Sequence, residues 1–189
     1  IDVANMTGRL GSEDRNHEVA KRLRAALRSA RADDGLLIAE HCHDATEDLD
    51  GDGWYATMNY SGFTNPVWSW LTQWQPERFF GGPSPLQRRP GPLVRRSIDE
   101  FAAAISWRSR VANLNLLDSH DSVRFRSIVG EDRNLHALGL TMLLTFPGIA
   151  SVFQGDELGM SGRHNHVTRA PLPWDRPDEW DNTTLAHVR

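Results

Sequence analysis

The chain has 189 residues, a net charge of −4 and one cysteine. Such a length supports one domain with its own core, and the near-neutral balance, with a pI near 6.1, gives no electrostatic footprint for nucleic acid. A disulfide framework is excluded, Cys42 reads as a reduced, buried thiol, and no apolar run approaches the roughly 18 residues of a membrane span.

The first residues, IDVANM, read as the end of an apolar strand that opens at Ile1 and not at Met, so a piece of a longer protein is expected. No compartment signal is readable; the reduced thiol leans toward a cytoplasmic setting. A polar loop with Gly8 and Gly11 follows. Val19, Leu23, Ala26, Leu27 and Ala30 then share one face, which predicts a helix from about Arg15 to Ala32, stopped by Asp33, Asp34 and Gly35. GLLIAEHCHD is a continuous apolar run of the kind found in a strand covered on both faces, and it ends in Glu40, His41, His43 and Asp44. Asp48, Asp50, Asp52 and Gly53 match the opening of a calcium loop. The twelfth position is Asn59 in place of a bidentate Glu, so a solvated turn is expected and calcium stands as the alternative.

ATMNYSG is a weaker strand candidate. NPVWSWLTQW predicts a helix with Trp70 and Trp74 at i and i+4 as core residues, and Phe79 to Pro92 is a loop rich in Gly, Pro and Arg. Ser97 and Glu100 have capping-box spacing and predict a helix running to about Val111. The apolar LNLL then ends in Asp118, Ser119, His120 and Asp121, and leaves through Arg124. A nearly all-apolar helix is predicted from Leu135 to Phe146, broken by Pro147 and Gly148. IASVFQGDELG is the last strand, ending in Asp156 and Glu157. The tail, with Pro171, Pro173 and Pro177, reads as extended loop.

Strands and helices alternating at this spacing predict parallel βα units. Acids at the C-terminal ends of strands mark the active face of an α/β barrel. A whole barrel takes about 250 residues, and the strands countable here suffice for about half of one. Residues 1–189 are therefore expected to be one partial catalytic domain, covering a TIM (β/α)8 barrel from the end of strand 4 to strand 8, with the N-terminal half and any C-terminal β domain absent. Desolvating a carboxylate at one strand end is unfavourable unless something pairs or uses it. Here four strand ends carry acids: Asp2, Glu40, Asp121 and the Asp156–Glu157 pair. Paired carboxylates at one rim are what glycosidic cleavage needs: one attacks or stabilises the sugar cation, and the other, a neutral acid, protonates the leaving oxygen.

These stretches resemble glycoside hydrolase family 13, the α-amylase family. IDVAN is similar to its strand-4 motif, which implies Asp2 as the nucleophile; LLIAEH to its strand-5 motif, implying Glu40 as general acid and base; and LLDSHD to its strand-7 motif, implying His120 as a sugar-hydroxyl ligand and Asp121 as transition-state stabiliser. FPGIASVFQGDELGMSG and TRAPLPWD resemble the strand-8 end and the loop after it. DVAN, TMNY and NLLDSHD resemble most the neopullulanase, cyclomaltodextrinase and α-glucosidase branch. The implied activity is retaining hydrolysis of α-glucosidic bonds in α-glucans or malto-oligosaccharides, with no cofactor, nucleic-acid or membrane partner. His41 and Arg124 join His120 as assigned substrate contacts. The sequence departs from the family pattern in places. The Arg of the strand-4 motif falls before Ile1, the strand-3 motif is absent, and Asn5 and Met6 replace a common Lys-His. HCHD follows Glu40 where many relatives have an aromatic.

Other residues have plainer readings. Asp156 and Glu157 are expected to form a buried network holding rim loops. Trp54, in a rim loop, is the one tryptophan nominated for sugar stacking. His41 and His43 have the spacing of a metal pair, but strand alternation points them away from Glu40, so packing or substrate contact is expected. Two rival functions follow: a barrel metallohydrolase using His41, His43, His120 and Asp121 or Asp156 as ligands, or a non-catalytic binding or scaffold relative. The latter would normally lack one of the acids.

Overall fold

The computed structural model describes residues 1–31, 35–49, 51–75 and 86–189. The loop after Asp2 folds into a two-residue hairpin, β1 (Arg9–Leu10) against β2 (Glu13–Asp14), clipped by an Arg9–Asp14 ion pair at 3.0 Å. It feeds α1 (Asn16–Arg31), whose amphipathic face buries Ala20 and packs Leu23 and Leu27 on the core. The helix stands within a residue of its predicted bounds where it is described. Ala32, Asp33 and Asp34, part of its predicted stop, lie outside the described residues, as does Asp50.

Four short parallel strands and the first residues then make the sheet. β3 (Ile38–Ala39) pairs with β4 (Ala56–Thr57) in the register Ile38 to Ala56. Met58, extending β4, bridges Leu114 at the start of β5 (Leu114–Leu116), and β5 pairs with β6 (Ile149–Ser151) in the register Leu114 to Ile149. On the other side of β3, the Ile1 amine donates to Ile38 O at 2.9 Å and the Glu40 amide donates to Ile1 O at 3.0 Å. That alternation is the parallel ladder, and it sets Ile1 opposite Ala39. The spatial order is Ile1, β3, β4, β5, β6, with every C-terminal end at the same edge.

Asparagines lock the sheet's middle. Asn113 Oδ1 accepts from the Thr57 amide at 3.0 Å, and Asn59 Nδ2 donates to Asn115 Oδ1 at 2.7 Å. A one-residue slip would break both bonds and bury amides without partners. Helices cover the sheet. Chain order continues from β4 through a wide turn at 60–64 into α2 (Asn65–Leu71), then α3 (Gly91–Ala103) and α4 (Trp107–Ala112) before β5. α5 (Phe125–Ile128) and α6 (Arg133–Thr145) separate β5 from β6. One apolar cluster centres on Phe63, Trp68, Leu117, Phe125 and Leu140. A smaller one under α1 gathers Ala39, Leu49, Trp54 and Ala56. Trp68 is fully buried with its Nε1–H on Leu117 O, while Trp70 and Trp74 pack at its margin. No helix among the described residues is long and apolar enough to cross a membrane.

Three expectations change. The Ser97–Glu100 pair caps nothing. α3 begins at Gly91, with Pro92 in the first turn where its missing N–H is harmless, and Glu100 instead pairs with Arg96 one turn back at 2.7 Å. The true side-chain cap is Ser106, accepting from the Ser109 amide, and it starts a separate helix. The tail is more than loop: it forms α7 (Asn165–Thr168) and α8 (Asn182–Val188), the latter capped by Asp181.

Candidate active site

The sheet's C-terminal edge carries the candidate residues because each strand stops where its apolar run stops. Asp2 and Glu40 follow the paired residues Ile1 and Ala39. The Ala4 amide donates to Glu40 O at 2.9 Å, and the Val3 amide donates to Glu40 Oε2 at 2.7 Å. The Glu40 carboxylate is thus held against the backbone of the segment that bears Asp2. Val3 reaches it from a left-handed conformation, φ 45°, which a β-branched residue adopts only under strain. Buried Asn16, at the start of α1, fixes the same segment. Its Nδ2 donates to Ala4 O and to Thr7 O, and its Oδ1 accepts from Trp54 Nε1 at 2.9 Å.

Asp121 stands at the same edge beyond β5. Its Oδ1 accepts from Arg169 Nη2 at 2.7 Å, its Oδ2 lies 3.3 Å from His120 Nε2, and Arg169 Nε donates to His120 O at 2.8 Å. Tyr60, just past β4, reaches the end of β5. It is buried, its hydroxyl shares a hydrogen bond with Ser119 Oγ at 3.1 Å, and burial pushes it up to about 12, with the negative charges of Glu40 and Asp121 adding to the shift. One phenol thus lies within electrostatic reach of the acids at both the β3 and β5 ends. Beside it Cys42 is half-buried, and burial raises its thiol, keeping it protonated.

The structure does not bring every nominated residue to this place. Arg124, assigned to sugar contact, is completely buried. Its guanidinium donates to Gln154 O, Asp156 Oδ1 and Thr168 O, and lies over the Phe153 ring at 4.2 Å, so it has no face left for a ligand. Trp54 is likewise buried and engaged by Asn16, which removes it as a stacking platform. His41 is 4% exposed with Nε2 3.1 Å from Asp48 Oδ2, and His43 meets it edge-on at 6.3 Å. Both line a polar cavity of about 350 Å³ with Asn5, Asp44, Glu47 and Asp48. Asp156 is buried in a network with Arg124 and Asp118, the role expected of it, whereas Glu157 is half-buried and its carboxylate accepts from the nearby Gly155 amide.

The metal readings gain no geometry. Asp48 faces His41, whereas Asp52 faces Lys21 and His17, both at 2.6 Å. Those two acids of the supposed calcium loop turn to different partners. Among the described residues no group of three His, Cys, Asp or Glu is placed to hold an ion, so the metallohydrolase ligand set does not assemble. Tyr60 and Arg169 were not among the predicted site residues. Tyr60 had a signal, since it follows a strand in the same way as the acids. Arg169 comes from a loop 48 residues after Asp121, and only folding could pair them.

The family model for the α-amylase catalytic domain matches residues 6–184. The chain belongs to the α-amylase family. It is 29% identical over 182 residues to neopullulanase 2 of Thermoactinomyces vulgaris, covering 95% of this chain and 27% of that protein. With the cyclomaltodextrinase of Geobacillus thermopakistaniensis it shares 29% identity over 189 residues, covering 100% of this chain and 28% of the relative. The chain thus spans between a quarter and a third of these relatives' lengths. Among solved structures, the ligand-free cyclic α-maltosyl-(1→6)-maltose hydrolase of Arthrobacter globiformis superposes with a TM-score of 0.77 at 24% identity, over 91% of this chain and 36% of that one. Its structural neighbours are TIM-barrel enzymes of this family, and the parallel β/α arrangement is that fold.

Proposed function

We propose that the chain is the second half of the barrel of a retaining α-glucoside hydrolase, from the end of strand 4 to strand 8. The observation that carries this reading is the parallel register of Ile1 with Ala39, which makes Asp2 and Glu40 the next residues on neighbouring strands at one edge. In the proposed reaction Asp2 attacks the anomeric carbon as the glycosidic C–O bond breaks, and Glu40 gives its proton to the departing oxygen. Glu40, now a base, takes a proton from water. The resulting hydroxide attacks the anomeric carbon and releases Asp2. Asp121 and His120 hold ring hydroxyls. Asp121 is already fixed by Arg169, so it meets the sugar without reorganising. The polar cavity beyond His41 and His43 offers donors and acceptors, with no aromatic platform, to the leaving sugar. The relatives' names, neopullulanase and cyclomaltodextrinase, favour malto-oligosaccharides or related α-glucans as substrates.

The test is covalent. In a polypeptide carrying the whole barrel, a 2-fluoro α-glucoside should label Asp2, and Asp2→Asn, Glu40→Gln and Asp121→Asn should each slow hydrolysis by about three orders of magnitude or more while leaving the fold intact. A label on another residue, or near-normal turnover by Glu40→Gln, removes the assignment. Residues 1–189 alone should not turn over a nitrophenyl α-glucoside, because three strands of the pocket wall are not in them.

A further inference from the structure

Asp118 and Asp156 face each other beneath the rim, away from the sugar-facing acids. Both are at most 2% exposed, and Arg124, between them and the loop beyond β6, is 0% exposed. Asp118 Oδ2 accepts from the Phe125 amide at 2.6 Å, and Asp156 Oδ1 accepts from Arg124 Nη1 at 3.1 Å. The two remaining oxygens, Asp118 Oδ1 and Asp156 Oδ2, are buried and have no donor from any other group among the described residues. The carboxyl groups nevertheless lie within hydrogen-bonding reach of each other. Two buried carboxylates against one guanidinium would leave a negative charge uncompensated, which a dry interior disfavours strongly. One proton between the oxygens gives each a partner and brings the three groups to neutrality.

Arg124 also ties this centre to the chain that matters for the rim. Its Nη1 donates to Gln154 O at 2.7 Å, its Nη2 to Thr168 O at 2.9 Å, and its own amide to Gly162 O at 2.9 Å. These acceptors span the loop that delivers Arg169, the next residue after Thr168, to Asp121 and His120. We propose that Asp118 and Asp156 share one proton and, with Arg124, form the positioning set that seats Arg169 against Asp121. The functional meaning of that seat rests on the glycosidase reading; the seat itself does not. Burial, and then the neighbouring carboxylate, hold Asp156 well above the usual carboxylate range, and burial raises Asp118, in keeping with a retained proton.

The test uses the chain with ¹³C at its aspartate carboxyls and ¹⁵N in its arginine side chains. At pH 7 the pair of resonances assigned through Asp118→Asn and Asp156→Asn should include one at the protonated position, or both displaced toward it. The Arg169 Nε–H, bonded to His120 O, should exchange more slowly than that of a free arginine side chain, and still do so in Asp156→Asn, whose amide can donate to the Asp118 carboxylate. In Asp156→Ala that exchange should quicken about tenfold or more while α6 amides stay protected. Arg124→Lys, which keeps the charge but lacks the fork, should do the same and serves if the alanine variant does not fold. Two fully ionised resonances at pH 7 would overturn the shared proton. An unchanged Arg169 signal in the folded variants would overturn the positioning role. Neither readout requires turnover, so failure here is distinct from failure of the glycosidase assignment.

Discussion

His136 should make the chain acid-sensitive, and its replacement by leucine should remove that sensitivity. The side chain, on α6, is 0% exposed, tilted against the Phe125 ring at 6.0 Å, and neither ring nitrogen has a hydrogen-bond partner among the described residues. Burial, helped by the nearby Arg126 cation, lowers the imidazole to about 4. An unfolded histidine titrates near 6.5. The folded state therefore binds its proton less readily, so stability is complete above pH 6.5, declines as pH falls from 6.5 to 4, and levels off below. At 1.36 kcal/mol per unit the loss approaches about 3 kcal/mol. With a urea m-value of about 2 kcal/mol/M, the gap in unfolding midpoint between His136→Leu and the parent should widen by roughly 1.5 M from pH 7.5 to pH 4. At pH 7.5 the variant should already match or exceed the parent, since leucine buries no orphan nitrogen. The Asp118–Asp156 pair titrates in the opposite sense, its raised position favouring the fold on acidification, but it does so in both proteins and cancels in the comparison. Parallel stability curves for the two proteins across this range would refute the reasoning.

Removing Arg169 should reduce kcat/KM of the whole-barrel enzyme by about 10- to 100-fold, the worth of one charge-assisted contact to Asp121; Arg169→Lys should recover only part of this in a nitrophenyl α-glucoside assay, because an ammonium cannot serve Asp121 and His120 O at once. Gly148→Ala should destabilise by about 2–3 kcal/mol, because φ is +138° and the added methyl would meet Asn113 O at 2.8 Å and the Asn115 side chain. Calorimetry should show it as a fall of about 5–10 °C in Tm.

What the sequence made legible was whatever periodicity and strand ends encode. α1 follows from one apolar face and α6 from a nearly all-apolar run, and the placement of Asp2, Glu40 and Asp121 at one edge follows from where apolar runs stop. What it concealed is long-range. Arg124 sits three residues past Asp121, so proximity along the chain suggested a shared pocket; instead the backbone turns inward and its guanidinium fills the space between two loops. Trp54 looked like a rim residue because nothing local reveals that Asn16, 38 positions earlier, will capture its indole. Ser97 and Glu100 imitate a cap because capping boxes and ordinary helix surfaces use the same polar residues. Pro90-Gly91-Pro92 was the better marker of that helix's start.

The order in which the sheet closes has a kinetic consequence. Pairing Ile38 with Ala56 closes a loop of about 18 residues, Leu114 with Ile149 about 35, and Ile1 with its neighbours 37, whereas Met58 with Leu114 spans about 56. Closing the longest loop costs roughly 1 kcal/mol more entropy than closing the shortest, and every junction is a parallel crossover, intrinsically slow to form. The seam between β4 and β5 is accordingly the last to zip. Glu40 lies on one side of that seam and Asp121 on the other. The two acids thus meet at one edge only when folding is nearly done. In pulse-labelled hydrogen exchange the Asn59 amide, which donates to Leu114 O across the seam, should gain protection after the Met58 and Ile149 amides, which close the flanking pairs. Simultaneous protection of all three would mean that the sheet closes in one step.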